Sequence, residues 1–243
     1  MMTATSMHTT LQKSELVAEG TMAFHFAKPS GFEYRAGQSI DLTLLNPPET
    51  DGEGNTRAFS LASAPFDRDL MIATRMRDTA FKRVLGKASP GLEVRIDGPS
   101  GSFVLHRKAE RAAVLLAGGI GITPFLSMIR QAAYEQASHQ IYLFYSNRRP
   151  EDCPFLEVLA ETAKQNPRFH LIATMTKMKD SHRDWTGETG FVSKEMLRKH
   201  LPAIQGPIFY LAGPPAMVAA MRSILAAAQV DEDDIRTEEF SGY

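Results

Sequence analysis

The segment LAGGIGITPF, Leu116 to Phe125, is a glycine-rich turn set between an apolar strand and an amphipathic helix. The run AAVLLAGG, starting at Ala112, enters it, and Phe125, Leu126, Ile129, Ala132 and Ala133 leave it at helical spacing. Gly118, Gly119 and Gly121 let the backbone turn tightly and approach a ligand, and Pro124 suits a first helical turn because its missing N–H would be unpaired there. Such a turn, placed at the carboxyl end of a strand, can hold a phosphate on the free N–H groups of the helix it starts. A glycine-rich turn can also be purely structural; the strand-to-helix setting is what favours the ligand.

Working outward from this turn, the same alternation repeats. QIYLFYS leads to PFLEVLAETAKQ, FHLIATM leads through a long connection to SKEMLRKHL, and PIFYLAG leads to PPAMVAAMRSILAAAQV, with IRTEEFSGY as a last strand and tail. Near-continuous apolar strands alternating with helices predict a parallel sheet covered on both faces. Upstream, from Thr9 to about Leu105, short β-rich segments (SIDLTLL, RAFSLASA, LMIATRM, LEVRIDG and SFVLH) are separated by turn signals such as NPPETDGEGN and ASPG. They predict a small antiparallel barrel or sandwich, with one helix near TAFKRVLGK.

Two further motifs carry chemistry. LAGPPAMV ends another strand of the second half, so Gly213, Pro214 and Pro215 form a rigid loop on the sheet edge that also bears the glycine turn. RAFSLASAP, residues 57–65, spaces an arginine, an aromatic ring and a hydroxyl along a strand, which could equally be an ordinary barrel strand.

In this order the three motifs, with GPSGSF at 98–103 between them, resemble the ferredoxin–NADP reductase superfamily over nearly the whole chain. The resemblance implies two domains: a six-stranded antiparallel flavin barrel over residues 1–107, then a Rossmann-like α/β nicotinamide domain over 108–243 whose tail returns to the flavin. FAD is the implied flavin. Arg57 would pair with its pyrophosphate through a guanidinium fork, Ala58 and Phe59 would lie along the ring, and Ser60 would hydrogen-bond near N5 as a catalytic residue. Thr74, Arg75 and Met76 follow on the next strand. The family's Gly-x-x-Ser that supports the pyrophosphate is replaced by Thr79, Ala80, Phe81 and Lys82, which shifts phosphate binding toward backbone N–H groups, Thr79, Lys82 or Arg75.

Gly118, Gly119, Gly121, Thr123 and Pro124 would meet the nicotinamide nucleotide, together with Gly213, Pro214, Pro215 and Met217. The family's cysteine before Gly-Pro-Pro is Ala212 here, and hydride transfer needs no thiol. Tyr243 would stack on the flavin as a second catalytic residue, or would be a frayed end. NADH or NADPH is the donor; Arg148, Arg149 and Lys177 are the candidate 2′-phosphate groups, and a lone lysine after the third strand tilts the balance toward NADH.

Composition bounds the rest. With 27 basic and 28 acidic residues, no overall field favours nucleic acid. One cysteine, Cys153, excludes an iron–sulfur cluster held by four thiolates of this chain. The seven histidines show no metal-ligand spacing. No run is apolar enough to span a membrane and no leader pattern opens the chain, so a cytoplasmic setting is the expectation. The resulting function is an NAD(P)H oxidoreductase that passes electrons to a separate acceptor: a ferredoxin, flavodoxin, haem or oxygenase protein, or a free flavin or quinone. The alternative is an electron-relay subunit or redox-responsive module without independent turnover.

Overall fold

The computed structural model describes residues 5–240. Strands β1 (Thr5–Ala18), β2 (Thr21–Ala27), β3 (Ser39–Leu44), β4 (Thr56–Ser60), β5 (Asp69–Arg75) and β6 (Glu93–Ser100) pair antiparallel in the order β4-β3-β6-β1-β2-β5. Two register shifts bend the long β1, and the sheet curls until its edges approach: just beyond β4, the N–H of Ala62 donates to the β5 carbonyl of Met71 at 2.7 Å. Alternation along the strands sends Phe24, Phe26, Leu42, Ile72 and Ile96 into the interior. Helix α1 (Ala80–Gly86), capped by Thr79, buries Phe81 and Leu85 in the same core.

The second sheet holds β7 (Ala113–Gly118), β8 (Ile141–Asn147), β9 (Phe169–Met175), β10 (Glu188–Thr189), β11 (Ile208–Gly213) and β12 (Ile235–Glu239), all parallel in the order β10-β9-β8-β7-β11-β12. Every residue of β7 and β11 is buried, because α2 (Ile122–Tyr134) and α3 (Leu156–Gln165) cover one face and α4 (Lys194–His200) and α5 (Pro215–Ala227) the other. The chain leaves β8 and β9 on one side of β7 and β11 and β12 on the other. That reversal opens a crevice beyond the strand ends, where the loops after β7 and β11 face each other.

Two local expectations are corrected. SFVLH is an extended connector and not a strand: Phe103 packs on Phe125 and Tyr210, with ring centroids 5.6 Å away in both cases, and the Tyr210 hydroxyl accepts from the His106 N–H at 2.8 Å. Its alternating pattern seals the junction between the two halves instead of pairing in a sheet. The β-rich half was read from Thr9 with no strand named over β1 or β2, and the short β10 was not proposed. Trp185, in the long connection before β10, is an anchor; its indole N–H donates to the Glu188 carbonyl at 2.7 Å and its ring packs against the core. Among the described residues no helix is long and apolar enough to cross a membrane.

Candidate functional site

The ends of β4 and β5, the start of α1, the loop after β7 and the residue following β12 surround a cleft of about 520 Å³. Arg57, Ala58, Phe59, Ser60, Thr74, Arg75, Thr79 and Lys82 line it from the barrel side, and Thr123 lines it from the first turn of α2. Residues singled out from two separate motifs, one on barrel strands and one at the start of α2, therefore meet in one place. Ile120, Arg77 and Phe240 also line it and were not anticipated.

The barrel side of the cleft is cationic. Arg57, Arg75, Arg77 and Lys82 face it, against the single carboxylate of Glu53. Burial, and then repulsion from Arg77 and Arg57, lower the pKa of the Lys82 ammonium, as expected of cations crowded around a place for an anion. Two carboxylates of the segment between β3 and β4 partly answer that demand. Glu53 pairs with Arg57 at 2.8 Å, and Asp51 accepts the Ala80 N–H at 2.9 Å while lying 3.6 Å from Arg57. A phosphate group would meet the same donors, so it must share or displace these carboxylates. The turn signals of NPPETDGEGN hid this, because they announce a loop without saying where it folds back.

Deeper in the cleft, the buried Ser60 hydroxyl donates to Glu238 Oε1 at 3.0 Å. Glu238 belongs to β12 and sits level with Ala212 of β11. Burial raises its pKa, and the hydrogen bond from Ser60 offsets only part of that effect. Its other oxygen, Oε2, is buried with no hydrogen-bond partner among the described residues. A carboxyl whose burial makes it hold its proton more tightly than usual, one hydrogen bond from a hydroxyl in a cleft, can exchange a proton through that hydroxyl. The sequence placed Glu238 only in a tail; nothing local marks it, since parallel pairing with β11 brings it to Ser60.

On the other wall, the two nucleotide-loop candidates touch. A Cβ on Gly121 would lie 2.3 Å from the Ala212 carbonyl oxygen, and one on Gly118 would lie 2.4 Å from the Met217 sulfur. Gly119 has a φ of +52°, the left-handed region that glycine tolerates, and its carbonyl accepts from Tyr145 at 3.3 Å. Thr123 donates to the Ile120 carbonyl at 3.1 Å, which fixes the turn. Gly213, Pro214, Pro215 and Met217 thus back the turn made by Gly118 to Pro124.

Some candidates go elsewhere. Phe81 is 2% exposed and belongs to the barrel core, packed 5.9 Å from Phe59, so only the neighbouring backbone and Lys82 reach the cleft. Ala80 is buried as well, and Met76 packs against the barrel cluster. Arg148 lies at the end of β8, exposed and away from the cleft lining. Tyr243 lies outside the described residues. Cys153 is buried, which pushes its thiol up to about 12 and keeps it unreactive. Among the described residues no group of three His, Cys, Asp or Glu could hold a metal ion.

Comparison with known proteins agrees with this geometry. Residues 115–223 match the oxidoreductase NAD-binding domain. The chain is 31% identical over 211 residues to the phenol hydroxylase P5 protein of Acinetobacter pittii, covering 86% of this chain and 58% of that one. It is 30% identical over 219 residues to the reductase component of propane 2-monooxygenase from Mycolicibacterium smegmatis, covering 88% and 61%. The chain thus spans about three-fifths of the length of these two relatives. The crystal structure of the Amycolatopsis cytochrome P450 reductase GcoB superposes with a TM-score of 0.83 at 24% identity, covering 98% of this chain and 70% of that one. Residues 115–223 thus carry the oxidoreductase NAD-binding domain, and the whole chain, an antiparallel barrel followed by a parallel nucleotide-binding sheet joined at one cleft, has the fold of that reductase.

Proposed function

We propose that this chain is an FAD-dependent NAD(P)H reductase that hands electrons to a separate acceptor protein, with residues 1–107 as the flavin domain and 108–243 as the nicotinamide domain. The observation that carries the reading is the meeting of Ser60, from barrel strand β4, and Thr123, from the first turn of α2, in one cleft with a cationic rim. The residues fit the cofactor: Arg57, Arg77 and Lys82 suit a pyrophosphate, and the Ser60–Glu238 pair suits a ring whose edge gains and loses a proton. FAD supplies the exchange between a two-electron hydride donor and a one-electron acceptor. The chain's part is to bind the dinucleotides, to align them across the cleft and to hold a proton at Ser60 Oγ. The names of its relatives, both parts of oxygenase systems, support an oxygenase or similar redox protein as the acceptor. A cytoplasmic setting goes with this reading.

The purified protein is expected to be yellow, to release FAD on mild denaturation, and to bleach under anaerobic conditions on addition of NADH or NADPH. A flavin that stays oxidised with both nucleotides defeats the proposal and leaves the relay alternative standing.

Nucleotide preference turns on the ends of β8 and β9. The Lys177 N–H donates to the Arg148 carbonyl at 2.8 Å, so these two exposed side chains start from adjacent backbone. Arg149 is committed elsewhere, paired with Asp152 at 2.9 Å and Glu19 at 2.7 Å. Arg148 and Lys177 are thus the groups left to meet a 2′-phosphate. Arg148→Ala is expected to raise KM for NADPH about five- to tenfold and to leave KM for NADH within about twofold, the scale of an exposed charge-assisted contact. Equal effects on both nucleotides in steady-state assays would remove Arg148 from this role.

A further inference from the structure

Thr123, Ser127, Arg130 and Tyr134 follow one another along α2 at intervals of four, three and four residues, the spacing that keeps side chains on one face of a helix. The first lines the cleft, and the other three all reach the loop of residues 61–68 between β4 and β5. The Ser127 hydroxyl donates to the Ser63 carbonyl at 2.5 Å. The Arg130 guanidinium grips the Asp67 carboxylate with two bonds, at 2.5 and 2.9 Å. The Tyr134 ring stacks on Phe66 with centroids 4.3 Å apart, and Arg130 lies over that same Phe66 ring at 5.3 Å.

The loop is a firm footing for these ties. Asp67 accepts the Ala64 N–H at 2.8 Å, and the Ser63 hydroxyl accepts the Met71 N–H at 2.9 Å and bonds the buried Tyr34 hydroxyl at 2.9 Å. It begins at the residue after Ser60, and α2 begins at the residue before Thr123. The ties therefore join the two elements that carry the two faces of the cleft.

We propose that Ser127, Arg130 and Tyr134, with Ser63, Asp67 and Phe66 opposite, are positioning residues that set the gap between the nicotinamide side and the flavin side. This rests on the reductase reading given above. Apolar packing also joins the halves, since Met71 and Ala73 of the barrel belong to the same cluster as Ile122 and Leu126 of α2. Such packing is non-directional and tolerates a slide. A bidentate ion pair and a short hydroxyl bond do not, and they lock α2 against movement along its axis. Hydride transfer is steep in distance, so a displacement of about 1 Å costs up to about 100-fold.

The test is stopped-flow reduction of the FAD-loaded protein over a range of nicotinamide concentrations. Arg130→Gln and Asp67→Asn are expected to keep their flavin, to bind nicotinamide within about twofold of wild type, and to be reduced about tenfold more slowly, with a weaker long-wavelength absorbance from the stacked flavin–nicotinamide pair. The double variant is expected to be no slower than either single one, because both changes remove one tie. Tyr134 is 66% exposed, so Tyr134→Ala cannot fail by unfolding the core; a loss of about threefold is expected, restored by Tyr134→Phe. Wild-type rates and absorbance in all of these variants overturn the proposal alone. A wild-type flavin that neither nucleotide reduces overturns the reductase reading first.

Discussion

Ser60→Ala is expected to retain FAD and to slow its reduction by NAD(P)H about 100-fold, the usual scale for loss of a positioned proton-transfer group. The hydroxyl is buried at the cleft and its hydrogen bond runs inward to Glu238, so its removal leaves the phosphate-binding side of the cleft untouched. Glu238→Gln is the companion experiment, because it keeps the side-chain shape while abolishing the titration. Burial lifts the Glu238 carboxyl above its unfolded value. The linkage follows from that sign: the folded protein holds this proton more tightly, so the group's stabilising contribution is complete below the unfolded pKa and is lost as pH rises through the folded one. Wild-type stability should therefore fall relative to Glu238→Gln across that window, read as urea midpoints at a series of pH values. In the same window the flavin reduction rate of wild type should change with pH and that of the variant should not. Reduction of Ser60→Ala at the wild-type rate would mean that the hydroxyl does not face the reacting edge.

The parts of this site that were legible in the sequence are those whose requirement is local. A backbone that must turn sharply takes Gly118 to Gly121, and a stiff loop takes Pro214 and Pro215, so residue type alone reports the geometry. Strand and helix periodicity likewise marked β7, β8, β9 and β11 with the helices between them, because their apolar runs are near-continuous; the two-residue β10 has no such run. What stayed hidden depends on partners distant in the chain. Glu238 matters because β12 pairs beside β11 and brings it to Ser60. Asp51 and Glu53 matter because a loop folds back on Arg57 and α1. Ser127, Arg130 and Tyr134 look like the outer positions of an ordinary amphipathic helix until the loop at 61–68 is laid against them. The connector SFVLH was misread for a related reason: its Phe103 and Leu105 pack on one core cluster without pairing in a sheet, and alternation does not distinguish that from a strand with one buried face.

Gly121→Ala is the most damaging single change expected on the nicotinamide side. The glycine is in ordinary right-handed backbone, with φ of −60° and ψ of −3°, so alanine meets no torsional obstacle there. The penalty is contact alone. An added Cβ would lie 2.3 Å from the Ala212 carbonyl oxygen, 2.5 Å from its carbon and 2.7 Å from the Gly213 nitrogen, all backbone atoms of the facing loop. No rotamer change can relieve an overlap with backbone, so the loops after β7 and β11 must part. Overpacking of this kind costs on the order of 1 to 3 kcal/mol of stability. The functional loss should be larger, because the opening falls where the nicotinamide would be seated and a shift near 1 Å is worth about 100-fold in rate. The barrel residues proposed to hold FAD lie on the opposite wall, so flavin content and its visible spectrum should survive. Anaerobic mixing with NADH then separates the outcomes: a yellow, folded protein that bleaches about two orders of magnitude more slowly supports the two-loop seat, and one that bleaches at the wild-type rate places the nicotinamide away from the contact between Gly121 and Ala212.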